Sequence, residues 1–355
     1  MPAGELDATI AAIWRIESPK LIATLSRLLR DVGRAEEIAQ DAFVLAISQW
    51  PDEGIPRNPG AWLTTVAKRK AIDEIRRSEM LARKTSELAY DESAVPLADE
   101  FAAAHGEIDD DMLRLVFVAC HPVLAKEARV ALTLKLVGGL TTAEIARAFL
   151  ISEATIAQRI VRAKRTLAQA KIPFEVPAAT DRRVRLASVV EAIYLIFNEG
   201  YAATAGDDLL RPELVEDALR LGRMLARLTP YEPEVHGLAA LMEIQASRMR
   251  ARVAPSGEAI LLLDQDRAKW NRLLIGRGLA ALALAEELAT EPGPYALQAA
   301  IAACHARAAT AGQTDWRRIA ALYDTLAQVM PTPVVELNRA VAVGMALGPQ
   351  EALNI

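Results

Sequence analysis

Gly138–Leu167 reads GGLTTAEIARAFLISEATIAQRIVRAKRTL, a stretch that marks the ends of two helices. Thr141 and Glu144 have the spacing of a capping box, and Leu140 is placed to staple against Ile145. The helix started there runs to Phe149 or Leu150. Ser152 then caps a second helix, with Ile151 placed to staple against Ile156. Two capped helices about three residues apart, with small Ala146 near the crossing, predict a helix-turn-helix. Turned at about 100° per residue, the second helix gathers Ile156, Ile160, Ala163 and Leu167 on one stripe. Gln158, Arg162 and Arg165 lie opposite, with Thr155 and Arg159 on the flank. That face offers base-edge donors near the helix start and phosphate-binding charge further along, as a helix in the major groove requires. A bare helical hairpin with a solvated basic face has the same pattern, so both readings stay open at this point.

Upstream, RAEEIAQDAFVLAISQW (residues 34–50) has an apolar arc of Ile38, Ala42, Leu45 and Ala46, and a polar face of Glu37, Gln40, Asp41 and Ser48. A short loop, PDEGIPR, is expected after Trp50, and Asn58-Pro59 then makes a helix start. Residues 57–84 carry eight Lys or Arg against three acids, a net of +5, including Arg57, Lys68, Arg69, Lys70, Arg76 and Arg77. Residues 85–111 carry nine acids and no Lys or Arg, and read as a linker extended by self-repulsion; nucleic-acid mimicry is the second reading. Periodicity returns at Met112 and lasts to about Lys171, where Pro173 and Pro177 interrupt it.

The rest of the chain agrees with an all-α fold. Apolar spacings are three and four, aromatics make up only 5%, and no sustained period-two alternation occurs. From about Arg182 onward, helices of one to two dozen residues are expected to alternate with short breaks near Gly206, Pro230, Pro255, Pro292, Gly312, Pro331 and Gly348. The helix starting at Pro349 meets the end of the sequence within about six residues, which predicts a truncated chain. At 355 residues and 52% hydrophobic content there is material for two or three domains, and wholesale disorder is excluded. Two cysteines cannot staple such a chain, MPAGELDATI is no signal peptide, and no apolar run approaches membrane-spanning length. A cytoplasmic protein without membrane attachment is expected.

Taken together, these pieces resemble the extracytoplasmic-function (ECF) sigma factors of bacterial RNA polymerase. DVGRAEEIAQDAFVLAISQW is similar to the family's sigma-2 domain, NPGAWLTTVAKRKAIDEIRR to the helix that follows it, and the stretch from Gly139 to Leu167 to the sigma-4 helix-turn-helix. The resemblance implies a sigma-2 domain over 1–84, the acidic linker over 85–111, and a sigma-4 domain over 112–175. It implies promoter DNA and core polymerase as partners, and no cofactor or metal. Glu37, Gln40 and Asp41 fall where the family docks on the clamp helices of the polymerase's largest subunit. Arg57, Asn58, Trp62, Lys68, Arg69, Lys70, Arg76 and Arg77 fall where it opens the −10 element. Trp50 and Trp62, which flank that loop, are read as core residues first and base contacts second. Ser152, Thr155, Gln158, Arg159, Arg162, Lys164 and Arg165 fall at the −35 recognition helix. Leu150 departs from the family pattern, which commonly has a glycine in the turn.

Residues 176–355 resemble the tetratricopeptide-like extension of one ECF subgroup, with Trp316, Tyr323, Ala340 and Ala342 as packing positions, although no strict 34-residue period fits. Two roles remain open for it: a module that binds a partner or ligand, or an internal clamp on the DNA-binding half. For the clamp, the glycine-bounded turn NEGYAATAGDD, with Asn198, Glu199, Tyr201 and Asp207, is the candidate contact, and a plain inter-helix loop is its alternative. A one-component regulator would explain the helix-turn-helix but gives the Glu37–Asp41 face no task. An enzyme would have to rest on His105, Cys120-His121, His236 and Cys304-His305. No HExxH, CxxC, phosphate loop or nucleophile elbow accompanies them.

Overall fold

The computed structural model describes residues 3–85, 108–202, 210–254 and 258–355. The described residues form fifteen α-helices, and their only β pairing is an isolated bridge between Val253 and Ala259. The all-α expectation therefore holds. Two compact units emerge, Met1–Arg147 with Ile151–Ala192, and Ala148–Leu150 with Ile193–Ile355.

In the first unit, α1 (Ala3–Leu29), α2 (Val32–Glu53) and α3 (Pro59–Thr85) form a bundle. Asp31 caps α2, its Oδ1 accepting from the Gly33 and Arg34 N–H groups at 2.7 and 3.1 Å. Ala35, Ala39, Ala42 and Ala46 are wholly buried along α2, and small side chains there let neighbouring backbones approach closely. The helix outlasts its expected end at Trp50. Pro51 is accommodated within the last turn, and the chain leaves at Gly54, whose φ of 82° suits a residue without Cβ. The loop to α3 is correspondingly shorter than PDEGIPR. Asn58 caps α3 by accepting from the Ala61 N–H at 3.0 Å.

The helices α4 (Ile108–Ala119), α5 (Lys126–Leu136), α6 (Thr142–Phe149) and α7 (Glu153–Gln169) complete this unit's core, with Leu115, Phe117, Leu132, Leu134, Leu136, Ile145 and Ile156 fully buried. Residues 86–107 of the acidic stretch lie outside the described residues. Its last part is not linker: Asp111 belongs to α4, is only 2% exposed, and pairs with Arg27 at 3.1 Å and Arg114 at 2.6 Å. Charge counting alone assigned Asp111 to the linker, because the arginine that draws it inward lies on α1, far away in sequence. The first part of α8 (Ala179–Tyr201) joins this unit. Ser188 donates to the Cys120 carbonyl at 2.6 Å, and Arg185 to that of Phe117 at 3.0 Å. These bonds satisfy carbonyls at the end of α4, which a helix terminus leaves without partners.

In the second unit, α9 (Pro212–Leu228), α10 (Pro233–Ala246), α11 (Arg272–Leu288), α12 (Pro294–Arg307), α13 (Trp316–Val329), α14 (Pro333–Leu347) and α15 (Pro349–Ala352) follow the end of α8. Prolines open five of these helices. Gly237 lets α10 and α12 touch: a Cβ there would stand 2.7 Å from the Ala296 nitrogen. Glu234 caps α12 by accepting from the Tyr295 and Ala296 N–H groups at 3.0 and 3.2 Å. The expected rhythm of helix and short break fails between Ser247 and Asn271, where the described residues contain only short 3-10 turns and the isolated bridge. Arg267 secures that segment by donating to the carbonyls of His305 and Ala308 and to the Thr314 hydroxyl. The turn read from NEGYAATAGDD is partly helix, since α8 continues to Tyr201; Gly206 and Asp207 lie outside the described residues.

Candidate nucleic-acid interface

Helix α6 begins with the reciprocal bonds that Thr141 and Glu144 suggest. The Thr141 N–H and hydroxyl donate to Glu144 Oε2 at 2.7 and 2.9 Å, and the Glu144 N–H donates to the Thr141 hydroxyl at 3.1 Å. Burial alone would raise the Glu144 carboxyl, but those Thr141 bonds and the charges of Arg15 and Arg147 outweigh it and hold the group below its ordinary value. Arg15 of α1 completes the arrangement at 3.2 Å from Glu144 Oε1.

The turn to α7 passes through Leu150, whose φ is 50°, and closes with the Ile151 N–H on the Ala146 carbonyl at 3.0 Å. Ser152 caps α7, accepting from the Thr155 N–H at 3.2 Å. Ile156, Ile160, Ala163 and Leu167 are buried, and each of the larger three contributes about 2 kcal/mol to seating the helix. This anchoring leaves Ser152, Thr155, Gln158, Arg162 and Arg165 exposed and Arg159 half-buried. Thr155, Gln158, Arg159 and Arg162 line one open groove of about 340 Å3, closed on its other side by the 123–128 segment that leads into α5. Donors and cations on a well-anchored helix can read base edges and hold phosphates.

Lys164 does not join that face. It lies about 80° from Ile156 around the helix, on the flank of the buried stripe, and its ammonium pairs with Glu36 of α2. Glu36 is 2% exposed and also faces Lys135 at 3.6 Å. Sequence reading missed Glu36 and Lys135. The available signal was that Glu36 sits beside Ala35 and Ala39 on the inward side of α2, where an acid needs a cation.

On α2, Glu37, Gln40 and Asp41 are exposed along one flank. Glu37 pairs with Arg34 at 3.0 Å, Gln40 donates to Glu36 Oε1 at 2.8 Å, and Asp41 meets Lys70 of α3 at 3.3 Å. Arg57, Asn58, Arg69, Lys70, Arg76 and Arg77 are exposed, whereas Lys68 is half-buried. Burial, with the charge of Arg27, lowers the Lys68 ammonium from its ordinary value. Trp50 is buried, and Trp62 rests edge-on against it, ring centres 5.4 Å apart, half-exposed beside the loop.

Cys120 is buried against the Thr133 hydroxyl at 3.0 Å, and burial pushes its thiol up to about 11. His121 accepts from the Val123 N–H at 3.1 Å, and burial lowers it to about 4. Among the described residues no three His, Cys, Asp or Glu side chains are placed to hold a metal ion. Nor is any helix among them long and apolar enough to cross a membrane.

Residues 13–79 match the family described as Sigma-70 region 2, residues 114–167 match Sigma-70, region 4, and residues 185–286 match a family of unknown function, DUF6596. The chain is 47% identical over 338 residues to the uncharacterized protein R00370 of Rhizobium meliloti (strain 1021), covering 94% of this chain and 79% of that protein. It is 30% identical over 165 residues to the ECF RNA polymerase sigma factor SigK of Mycobacterium ulcerans (strain Agy99), covering 46% of this chain and 86% of the relative. The SigK protein of Mycobacterium tuberculosis (strain ATCC 25618 / H37Rv) is 27% identical over 169 residues, or 46% of this chain and 87% of the relative. No solved structure matches.

Proposed function

Since the chain belongs to the ECF RNA polymerase sigma factors, we propose that it binds core polymerase and directs it to promoter DNA through the surfaces just described. The observation that carries this assignment of surfaces is the doubly capped helix-turn-helix, whose second helix buries one stripe and turns Thr155, Gln158, Arg159 and Arg162 outward along one groove. In this reading residues 1–84 engage core and the −10 element, residues 112–175 read the −35 element, and residues 176–355 form a helical extension that modulates activity. Glu37, Gln40 and Asp41 meet the clamp helices of the largest subunit. Arg57, Asn58, Trp62, Arg69, Lys70, Arg76 and Arg77 contact the opened strand, with half-exposed Trp62 offering a face for stacking. Ser152, Thr155, Gln158, Arg159, Arg162 and Arg165 contact the duplex, with Lys164 added once it leaves Glu36. The protein works in the cytoplasm, where polymerase is. Its part is binding and strand separation, and the phosphodiester chemistry belongs to the polymerase.

Permanganate reactivity of unpaired thymines at the chain's own upstream region tests the proposal. Opening is expected only when core polymerase and the full chain are both present. Tight duplex binding without core, and no opening with it, would instead identify a one-component regulator.

A further inference from the structure

The second unit contains a cavity of about 270 Å3, just under the size of pockets that hold drug-like molecules. Tyr194, Tyr201 and Tyr323 line it; among the described residues its one charged wall residue is Arg248, and no carboxylate lines it. Arg248 donates to the Tyr201 hydroxyl at 2.7 Å and to Gln245. Arg252 lies 3.7 Å over the Tyr201 ring and donates to the Tyr201 carbonyl. Arg267 stands 5.0 Å from the Trp270 ring, which Arg248 also approaches, at 5.8 Å.

Among the described residues these three guanidiniums have neutral partners only. Elsewhere in the same unit arginines find acids, Arg223 with Glu243 at 2.6 Å and Arg339 with Asp324 at 2.8 Å, but among the described residues Arg248, Arg252 and Arg267 form no ion pair. Carbonyls and hydroxyls satisfy N–H groups without cancelling charge, and partly buried charge without a counter-charge is costly. The local field is accordingly positive. Burial, and then the charges of Arg248 and Arg267, push His305 in the cavity wall down to about 4. Its imidazole is therefore neutral at pH 7, and its Nδ1 has no hydrogen-bond partner although the residue is only 8% exposed.

We propose that this cavity binds a small organic anion, with a carboxylate or phosphate group on Arg248 and an aromatic or aliphatic body against the tyrosine walls. The anion supplies the missing counter-charge, and charge-assisted bonds to a guanidinium are among the stronger polar contacts. The amides of Asn198 and Asn338 also line the cavity and can orient the ligand's polar groups, while that of Gln298 donates to the Pro294 carbonyl at 3.1 Å. The inference rests on the second unit alone, so its failure leaves promoter recognition untouched.

Thermal shift and titration calorimetry on the full chain test it, with benzoate, phenyl phosphate, acetate, inorganic phosphate and the neutral isostere benzamide as probes. Benzoate or phenyl phosphate should raise Tm saturably and benzamide should not; whichever of the two acts identifies the anionic group. Arg248→Gln, which keeps donors but removes charge, should raise Kd about tenfold or more. Arg248→Lys should retain most of the affinity. Three results would overturn the proposal: no saturable shift from either aromatic anion at about 10 mM, an equal shift from benzamide, acetate or inorganic phosphate, or unchanged affinity in Arg248→Gln. Should Arg248→Gln fail to fold, the contrast between benzoate or phenyl phosphate and benzamide in the unaltered chain decides.

Discussion

Leu150 holds a backbone conformation that its own Cβ opposes, since a φ of 50° places an L-residue in the left-handed region. The side chain gains little in return, being 55% exposed. Left-handed geometry costs roughly 1–2 kcal/mol for such a residue, and glycine gives back about 0.5–1 kcal/mol through its looser unfolded chain. Leu150→Gly is therefore expected to stabilise the fold around this turn by about 0.5–1 kcal/mol, measured as a rise in the denaturant midpoint at unchanged slope. A fall in the midpoint would mean that the exposed leucine makes a contact worth more than the strain. This is also where the sequence departs from the glycine common in its family, so the tight turn is kept and the strain is borne locally.

The helix-turn-helix is the element whose exposed and buried faces bear directly on DNA binding. Arg162 and Gln158 share a groove but differ in chemistry, and their truncations should separate accordingly. Arg162→Ala is expected to weaken holoenzyme binding to all promoters alike and to lower the salt slope by about 1, as loss of one phosphate contact does. Gln158→Ala should cost about 1–3 kcal/mol at one preferred base and little at others, seen by competition among single-base promoter variants. If both variants lose the same affinity at every sequence, the helix does not read bases. These faces were legible in sequence because caps and a 3.6-residue stripe are local signals: Thr141, Glu144, Ser152 and the four buried apolar residues of α7 all sit where spacing puts them. What escaped was non-local. Glu36 with its two lysines and Asp111 with Arg27 depend on partners dozens of residues away, and the irregular segment from Ser247 to Asn271 depends on Arg267 reaching across to His305 and Thr314.

Across the first unit, Glu36 joins α2 to α5 and α7 from a nearly dry position. Removing one partner of a buried pair leaves the others uncompensated, at about 3–5 kcal/mol. Glu36→Ala should lower stability by about that much by chemical denaturation, and adding Lys164→Met should recover part of the loss. If Glu36→Ala costs less than about 1 kcal/mol, the ion pairs are not what joins α2 to α5 and α7. Whether α2 and α7 part when polymerase is bound can be followed because of the chain's two sulfhydryls. Cys120 and Cys304 are both enclosed, and burial raises both thiols above their ordinary value, so neither presents a ready thiolate. Dye-carrying maleimides can thus be directed to cysteines introduced on the outer surfaces of α2 and α7, with the native pair left in place, and energy transfer between the dyes would report the separation of those helices in solution.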